Sequence, residues 1–112
     1  MAARLRADLT RAMRERDEVR VATLRLVLTA VTTEQAAGAA HELTDEQVLG
    51  VLARQARQRR ESAQAYDEAG RADLAERERA ELAVIEGYLP RQLTDGELAA
   101  LVDEVVTGLQ GQ

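Results

Sequence analysis

The sequence of 112 residues contains no cysteine, lysine, tryptophan or phenylalanine, one proline and one histidine. Without cysteine there are no disulfides and no thiolate metal sites. The only aromatic residues are Tyr66 and Tyr88, so the chain offers no aromatic platform for stacking nucleic-acid bases. We interpret His41 as a surface imidazole, because no second histidine exists to complete a metal site or a proton relay.

Long apolar runs are missing too. The longest, Leu24 to Val31, is short and contains Arg25, which excludes a membrane span. The Arg-rich start of the chain resembles an organelle presequence in its basic character, but such presequences avoid acids, and this stretch is interrupted by Asp8, Glu15, Asp17 and Glu18. We therefore expect a soluble, cytoplasmic protein whose first residues form a helix.

Catalytic groups are scarce as well. Ser62 is the only serine, and it lies within a helical pattern, where a hydroxyl normally faces solvent or bonds to its own helix. Amidase sites use a Cys nucleophile or a Ser-Ser-Lys arrangement, and neither set of residues is present. No Gly-rich phosphate loop or dinucleotide fingerprint occurs. We predict no catalytic residues, no metal site and no cofactor.

Charge is plentiful and unevenly distributed. The net charge is −5, but residues 1–60 hold 11 Arg and 8 acidic residues, whereas residues 61–112 hold 4 Arg and 12 acidic residues. These counts give +3 and −8, which sum to −5. The first 60 residues are therefore net basic and the remainder is strongly acidic. The overall acidity opposes general nucleic-acid binding.

Apolar residues recur at helical spacing along most of the chain. The first helix is predicted over about Ala2 to Arg16, with Leu5, Leu9, Ala12 and Met13 facing inward, and the second over about Glu18 to Gln35. Thr44 and Gln47 form a capping box for the third helix, with Leu43 and Val48 as its hydrophobic staple. That helix runs to about Ala69, and Gly70 supplies the left-handed residue after it.

Two further helices are predicted after Gly70. The fourth covers about Ala72 to Glu86 and is ended by Gly87 and Pro90, since proline disfavours helix at the residue before it. The fifth starts at Thr94, whose side chain repeats the capping pattern of Thr44, and runs to about Thr107. The predicted fold class is all-α: an antiparallel four-helix bundle with an additional fifth helix.

The best candidate for a functional site is a cluster of arginines on the third helix. Four guanidinium groups within seven residues suit bidentate contacts to phosphate, although at about 100° per residue at least one stem must lie at the core edge. The alternative is a solvated helix face paired with Glu61, Asp67 or the acidic fourth helix. The candidate nucleic-acid-binding residues are Arg54, Arg57, Arg59 and Arg60, joined by Arg11 and Arg14 if the first helix presents them on the same side.

The stretch from Arg57 to Asp95 resembles one known family. The matching features are the basic patch before Glu61-Ser62, the turn from Glu68 to Leu74, the acidic stretch from Glu81 to Glu86, and the break Tyr88-Leu89-Pro90 followed by Gln92-Leu93-Thr94. In these features the chain resembles the GatB/YqeY family, which comprises YqeY-like proteins and the tail domain of the tRNA-dependent amidotransferase B subunit.

The resemblance implies a helical bundle over residues 1–89, followed by a linker and the first helix of an incomplete C-terminal helical domain over residues 90–112. It also implies a role as an accessory or tRNA-binding domain, with tRNA or a tRNA-processing protein as partner, and a family label of glutamine-dependent carbon–nitrogen ligase. The side chains present cannot run that reaction. The alternative function is a helical protein–protein interaction or oligomerisation module without an RNA role.

Overall fold

The computed structural model of the protein describes residues 1–38 and 42–90, and in these ranges every regular element is an α-helix. The all-α class and the four predicted helices are confirmed there, while the antiparallel order stays a prediction. His41 and the predicted fifth helix lie outside the described residues. The helices are α1 (Ala2–Glu15), α2 (Glu18–Ala37), α3 (Asp45–Glu68) and α4 (Ala72–Glu86).

Local capping explains where the two longest helices begin. The Thr44 side chain accepts a hydrogen bond from the backbone N–H of Gln47 at 3.2 Å, and the Gln47 side chain accepts from the N–H of Thr44 at 2.9 Å. This confirms the predicted capping box of α3. Asp17 caps α2 by accepting from the N–H of Arg20 at 3.1 Å, which satisfies one backbone donor in the first turn.

Left-handed residues end two of the helices. Gly70 has φ 73° immediately after α3, as predicted, because glycine adopts positive φ without a steric cost. Arg16 does the same after α1 with φ 55°, although a side chain makes this conformation less favourable. Both turns are short, so each helix is followed directly by the partner against which it packs.

The helices pack as two pairs joined by α2. The α1 helix packs chiefly on α2, α3 packs on α4, and α2 also contacts both α3 and α4. The centre of the core is aliphatic, as the composition predicts. Its fully buried side chains include Leu5 from α1, Leu24 and Val27 from α2, Leu52 from α3 and Ile85 from α4.

Small residues on α3 allow the neighbouring helices to approach closely. Gly50, Ala53 and Ala56 are all buried on this helix, and Ala75 of α4 is fully buried as well. A larger side chain at any of these positions would have to displace its neighbours, since protein cores are packed without spare volume.

The inward positions predicted for α1 are partly wrong. Leu5 and Ala12 are fully buried and Leu9 is half-buried, but Met13 is 51% exposed. Met13 lies about 100° around the helix from Ala12. Because α1 packs chiefly against one neighbouring helix, it buries only a narrow stripe, and Met13 falls beyond the edge of that stripe.

None of the four helices is both long enough and apolar enough to cross a bilayer.

Candidate functional site

The four candidate arginines of α3 point in different directions. Arg57 is exposed, Arg54 and Arg60 are half-buried, and Arg59 is buried. The prediction that at least one arginine stem lies at the core edge is confirmed by Arg59. The four guanidinium groups are therefore spread around α3 and do not form one continuous surface.

Each of these arginines faces a carboxylate. Arg54 pairs with Glu34 of α2, and Arg57 pairs with Glu61 one turn further along α3 at 3.0 Å. The other two reach across to α4, where Arg59 lies 3.0 Å from Glu78 and Arg60 lies 3.2 Å from Glu86. The paired arrangement expected as the alternative is thus present for Glu61 and the fourth helix, with Glu34 as a partner that the sequence did not indicate. Asp67 pairs instead with Arg79 of α4.

Arg57 and Arg60 line a small cleft on α3. Together with Glu61 and Gln64 they surround a cleft of about 130 Å³ on the surface of α3. Its walls carry two cationic and one acidic side chain. The cleft is large enough for a few water molecules or one small anion, but Glu61 opposes an anion there.

Burial raises the pKa of Glu78 in the interface between α3 and α4. Desolvation is the largest cause, and the nearby Arg59 partly counteracts it by favouring the charged carboxylate. Although Arg59 Nε and Glu78 Oε2 are close enough for an ion pair, neither atom makes a well-directed hydrogen bond. The pair is therefore attracted by charge but incompletely satisfied, which is unfavourable inside a helix interface.

Arg11 and Arg14 both lie on α1, near its C-terminal end. Arg11 pairs with Asp8 on its own helix and lines a polar cavity at the α1–α2 junction together with Asp17 and Arg20. Arg14 is exposed in the last turn of α1. A shared surface between these two arginines and those of α3 stays a prediction.

A further polar cluster was not found by sequence reasoning. The Tyr88 hydroxyl donates a hydrogen bond to Asp8 Oδ2 at 2.5 Å, and the Arg4 guanidinium lies 4.9 Å from the centroid of the Tyr88 ring. Arg11 pairs with the other oxygen of Asp8. Because 80 residues separate Tyr88 from Asp8, no local sequence signal could have indicated this contact.

A groove of about 450 Å³ runs along the outer side of the α1–α2 pair. Leu9 and Leu28 form its apolar floor, and Arg25 and three threonines complete its wall. Two of these hydroxyls donate to the backbone of their own helix, Thr32 to the carbonyl of Leu28 at 3.0 Å and Thr33 to that of Thr29 at 2.9 Å. No carboxylate is among these lining residues, which contrasts with the paired arginines of α3.

The sequence model of the YqeY-like protein family matches residues 2–112. The chain belongs to this family. A curated relative, altered inheritance of mitochondria protein 41, mitochondrial, from Lachancea thermotolerans, is 27% identical over 110 residues. The match covers 96% of this chain and 59% of the relative. The chain therefore spans a little over half the length of the relative it matches.

Membership of the YqeY-like family confirms the resemblance drawn from residues 57–95, while the site assigned to the arginines stays a prediction. In the residues that the structure describes, no group of three or more His, Asp or Glu side chains is arranged to hold a metal ion. Ser62 is half-buried within α3, in the helical setting predicted for it.

Proposed function

We propose that this YqeY-like chain is a non-catalytic accessory module, linked through its family to glutamine-dependent tRNA amidotransfer, and that it acts mainly through contacts with protein. One observation carries the proposal: every arginine of the predicted phosphate-binding cluster faces a carboxylate. A phosphate would have to displace those carboxylates, at a cost in lost ion pairs and against a net charge of −5. A cytoplasmic location is part of the same proposal.

The side-chain inventory supports a non-catalytic role. Amidotransfer from glutamine requires a nucleophile that a neighbouring base activates, and the chain contains no Cys, no Lys and a single Ser. Ser62 lies within α3, where a hydroxyl normally faces solvent or bonds to its own helix. We expect the purified chain to release no ammonia from glutamine, and to act only when a separate catalytic protein is present.

A second candidate function is tRNA binding through α3. It is favoured by the Arg57–Glu61 pair, in which the two side chains are 44% and 67% exposed. Exposed pairs of this kind contribute only about 0.2–1 kcal/mol, so a phosphate could replace Glu61 at little cost. Arg60, on the same cleft, could supply a second contact.

Titration of labelled tRNA at two salt concentrations separates these functions. The wild-type chain is compared with Arg57→Ala/Arg60→Ala and with a matched control, Arg71→Ala/Arg77→Ala, which removes two exposed arginines that are also paired with acids. We expect weak binding that is the same for all three proteins. Tight binding that weakens with salt and is lost only in Arg57→Ala/Arg60→Ala would establish the second candidate instead.

A further inference from the structure

The chain leaves the described helices through a short buried segment. After α4 ends at Glu86, Tyr88 and Leu89 remain buried, with 7% and 8% exposure. Their backbone N–H groups donate to Ile85 at 3.0 Å and to Glu86 at 3.2 Å, so the segment continues the last turn of α4. Pro90 follows directly and has no N–H to extend this pattern.

Tyr88 is held at this point by groups of α1. Its hydroxyl donates to Asp8, its ring lies against the Arg4 guanidinium, and Asp8 is itself fixed by Arg11. A hydrogen bond to a charged acceptor contributes more than a neutral one, and the cation–ring contact adds to it. We call the contact between Asp8 and Tyr88 the Asp8–Tyr88 clamp.

Apart from this clamp, α1 makes few polar contacts with the α3–α4 pair. It packs chiefly on α2, and a second polar contact joins the N-terminal amine of Met1 to Asp45 of α3 at 2.8 Å. The Asp45 side chain is 79% exposed, so solvent screens that pair and it contributes little. The clamp is therefore the stronger of these two polar connections between α1 and the α3–α4 pair.

We infer that the Asp8–Tyr88 clamp ties the position of α1 to the point where the chain leaves α4, so that α1 and the segment preceding Pro90 move together. This inference goes beyond the proposed function and does not rest on it. Opening the clamp would release two elements that are far apart in sequence: α1, and the Tyr88-Leu89-Pro90 segment.

Amide hydrogen exchange of the full chain tests the coupling in both directions. In Asp8→Ala, the amides of Tyr88 and Leu89 should exchange at least about tenfold faster, since a hydrogen bond to a charged group is lost. In Tyr88→Phe, which keeps the buried ring and removes only the hydroxyl, amides of α1 should exchange faster by a similar factor. The double variant should add little to either single change.

Matched controls are available for both substitutions. Asp73→Ala removes an exposed carboxylate that pairs with Arg71, and Tyr66→Phe removes the other tyrosine hydroxyl, on α3; neither should alter exchange at Tyr88 or in α1. If Asp8→Ala accelerates exchange only within α1, or if Tyr88→Phe accelerates it only at its own end of α4, the coupling does not exist. A uniform acceleration that includes the core amides of α3 would also overturn it, because that result indicates general loss of stability.

Discussion

Arg59 Nε lies 3.0 Å from Glu78 Oε2 across the interface of α3 and α4, with only 10% and 19% of the two side chains exposed. The two groups attract each other, but burial removes water from both and their hydrogen-bonding directions are not satisfied. In such a setting the desolvation cost can exceed the attraction. We therefore expect this ion pair to fix how α3 and α4 pack together and to add little to the stability of the fold.

Replacing Arg59 and Glu78 with apolar side chains tests whether the desolvation cost of the pair exceeds its attraction. Arg59→Met/Glu78→Leu should leave the free energy of unfolding unchanged or raise it, whereas Glu78→Leu alone should lower it by about 3 kcal/mol, because Arg59 then stays buried without a counter-charge. Urea unfolding, monitored by circular dichroism, gives the free energy of unfolding of the wild type, Glu78→Leu and the double variant. A double variant less stable than the wild type would show that the ion pair is net favourable.

The clamp should make stability depend on pH at the acidic end. The pKa of Asp8 is lowered, chiefly by the hydrogen bond from Tyr88 and also by Arg11 and Arg4. A lowered folded-state pKa contributes stability above the unfolded value, and that contribution is lost as pH falls through the folded value. Tyr88→Phe removes the largest cause, so the loss of stability between about pH 4 and pH 2 should become smaller than in the wild type. Urea unfolding at several pH values measures this loss of stability. The control Tyr66→Phe should show the same pH dependence as the wild type.

Tyr88 itself should ionise only in strong alkali. Burial, followed by the hydrogen bond to Asp8, raises the pKa of Tyr88 to about 12. In the variant Tyr66→Phe, Tyr88 is the only tyrosine, so the absorbance of tyrosinate reports this group alone. Adding Asp8→Ala should bring its pKa down toward the ordinary value of 10.0, because the acceptor and its negative charge are gone. An unchanged titration would mean that burial alone controls the Tyr88 hydroxyl.

The capping box of α3 should make a measurable contribution to the free energy of unfolding. Thr44→Ala removes the acceptor for the Gln47 N–H and should lower the free energy of unfolding by about 0.5–2 kcal/mol. Thr10→Ala is a suitable control, since the Thr10 hydroxyl is exposed and donates only to the carbonyl of Arg6 in its own helix. Thr94→Ala should cost less than Thr44→Ala if the boundary predicted after residue 89 is correct. Thermal melting of the three variants gives the comparison.

Features set by neighbouring residues could be predicted from the sequence. The capping box at Thr44, the left-handed Gly70 and the end of α4 near Gly87 all follow from chemistry within one or two turns. Spacing of four residues along a helix favours an ion pair, and Arg77 and Glu81 form one at 3.8 Å. Asp73 has the same spacing to Arg77 but lies beside Arg71 at 3.2 Å, because Arg71, just before α4, can reach forward to the first turn.

Contacts between distant residues could be predicted only in part. Pairing of the arginine cluster with acids of the fourth helix was expected as the alternative, but the choice of Glu78 and Glu86, and the addition of Glu34, depend on how α2 and α4 pack against α3. Periodicity places a residue on one face of a helix without saying which helix will cover that face. The same limit applies to Asp8 and Tyr88, whose contact depends on the positions of α1 and the end of α4.

The arrangement of the helices in two consecutive pairs bears on how the chain folds. Residues 16–17 connect α1 to α2 and residues 69–71 connect α3 to α4, so each pair can form by closing a very short loop, which costs little chain entropy. Proteins dominated by such local contacts have low contact order and fold in roughly microseconds to milliseconds. We expect the two pairs to form early. The Tyr88–Asp8 hydrogen bond, which spans 80 residues, would then close only after both pairs have docked.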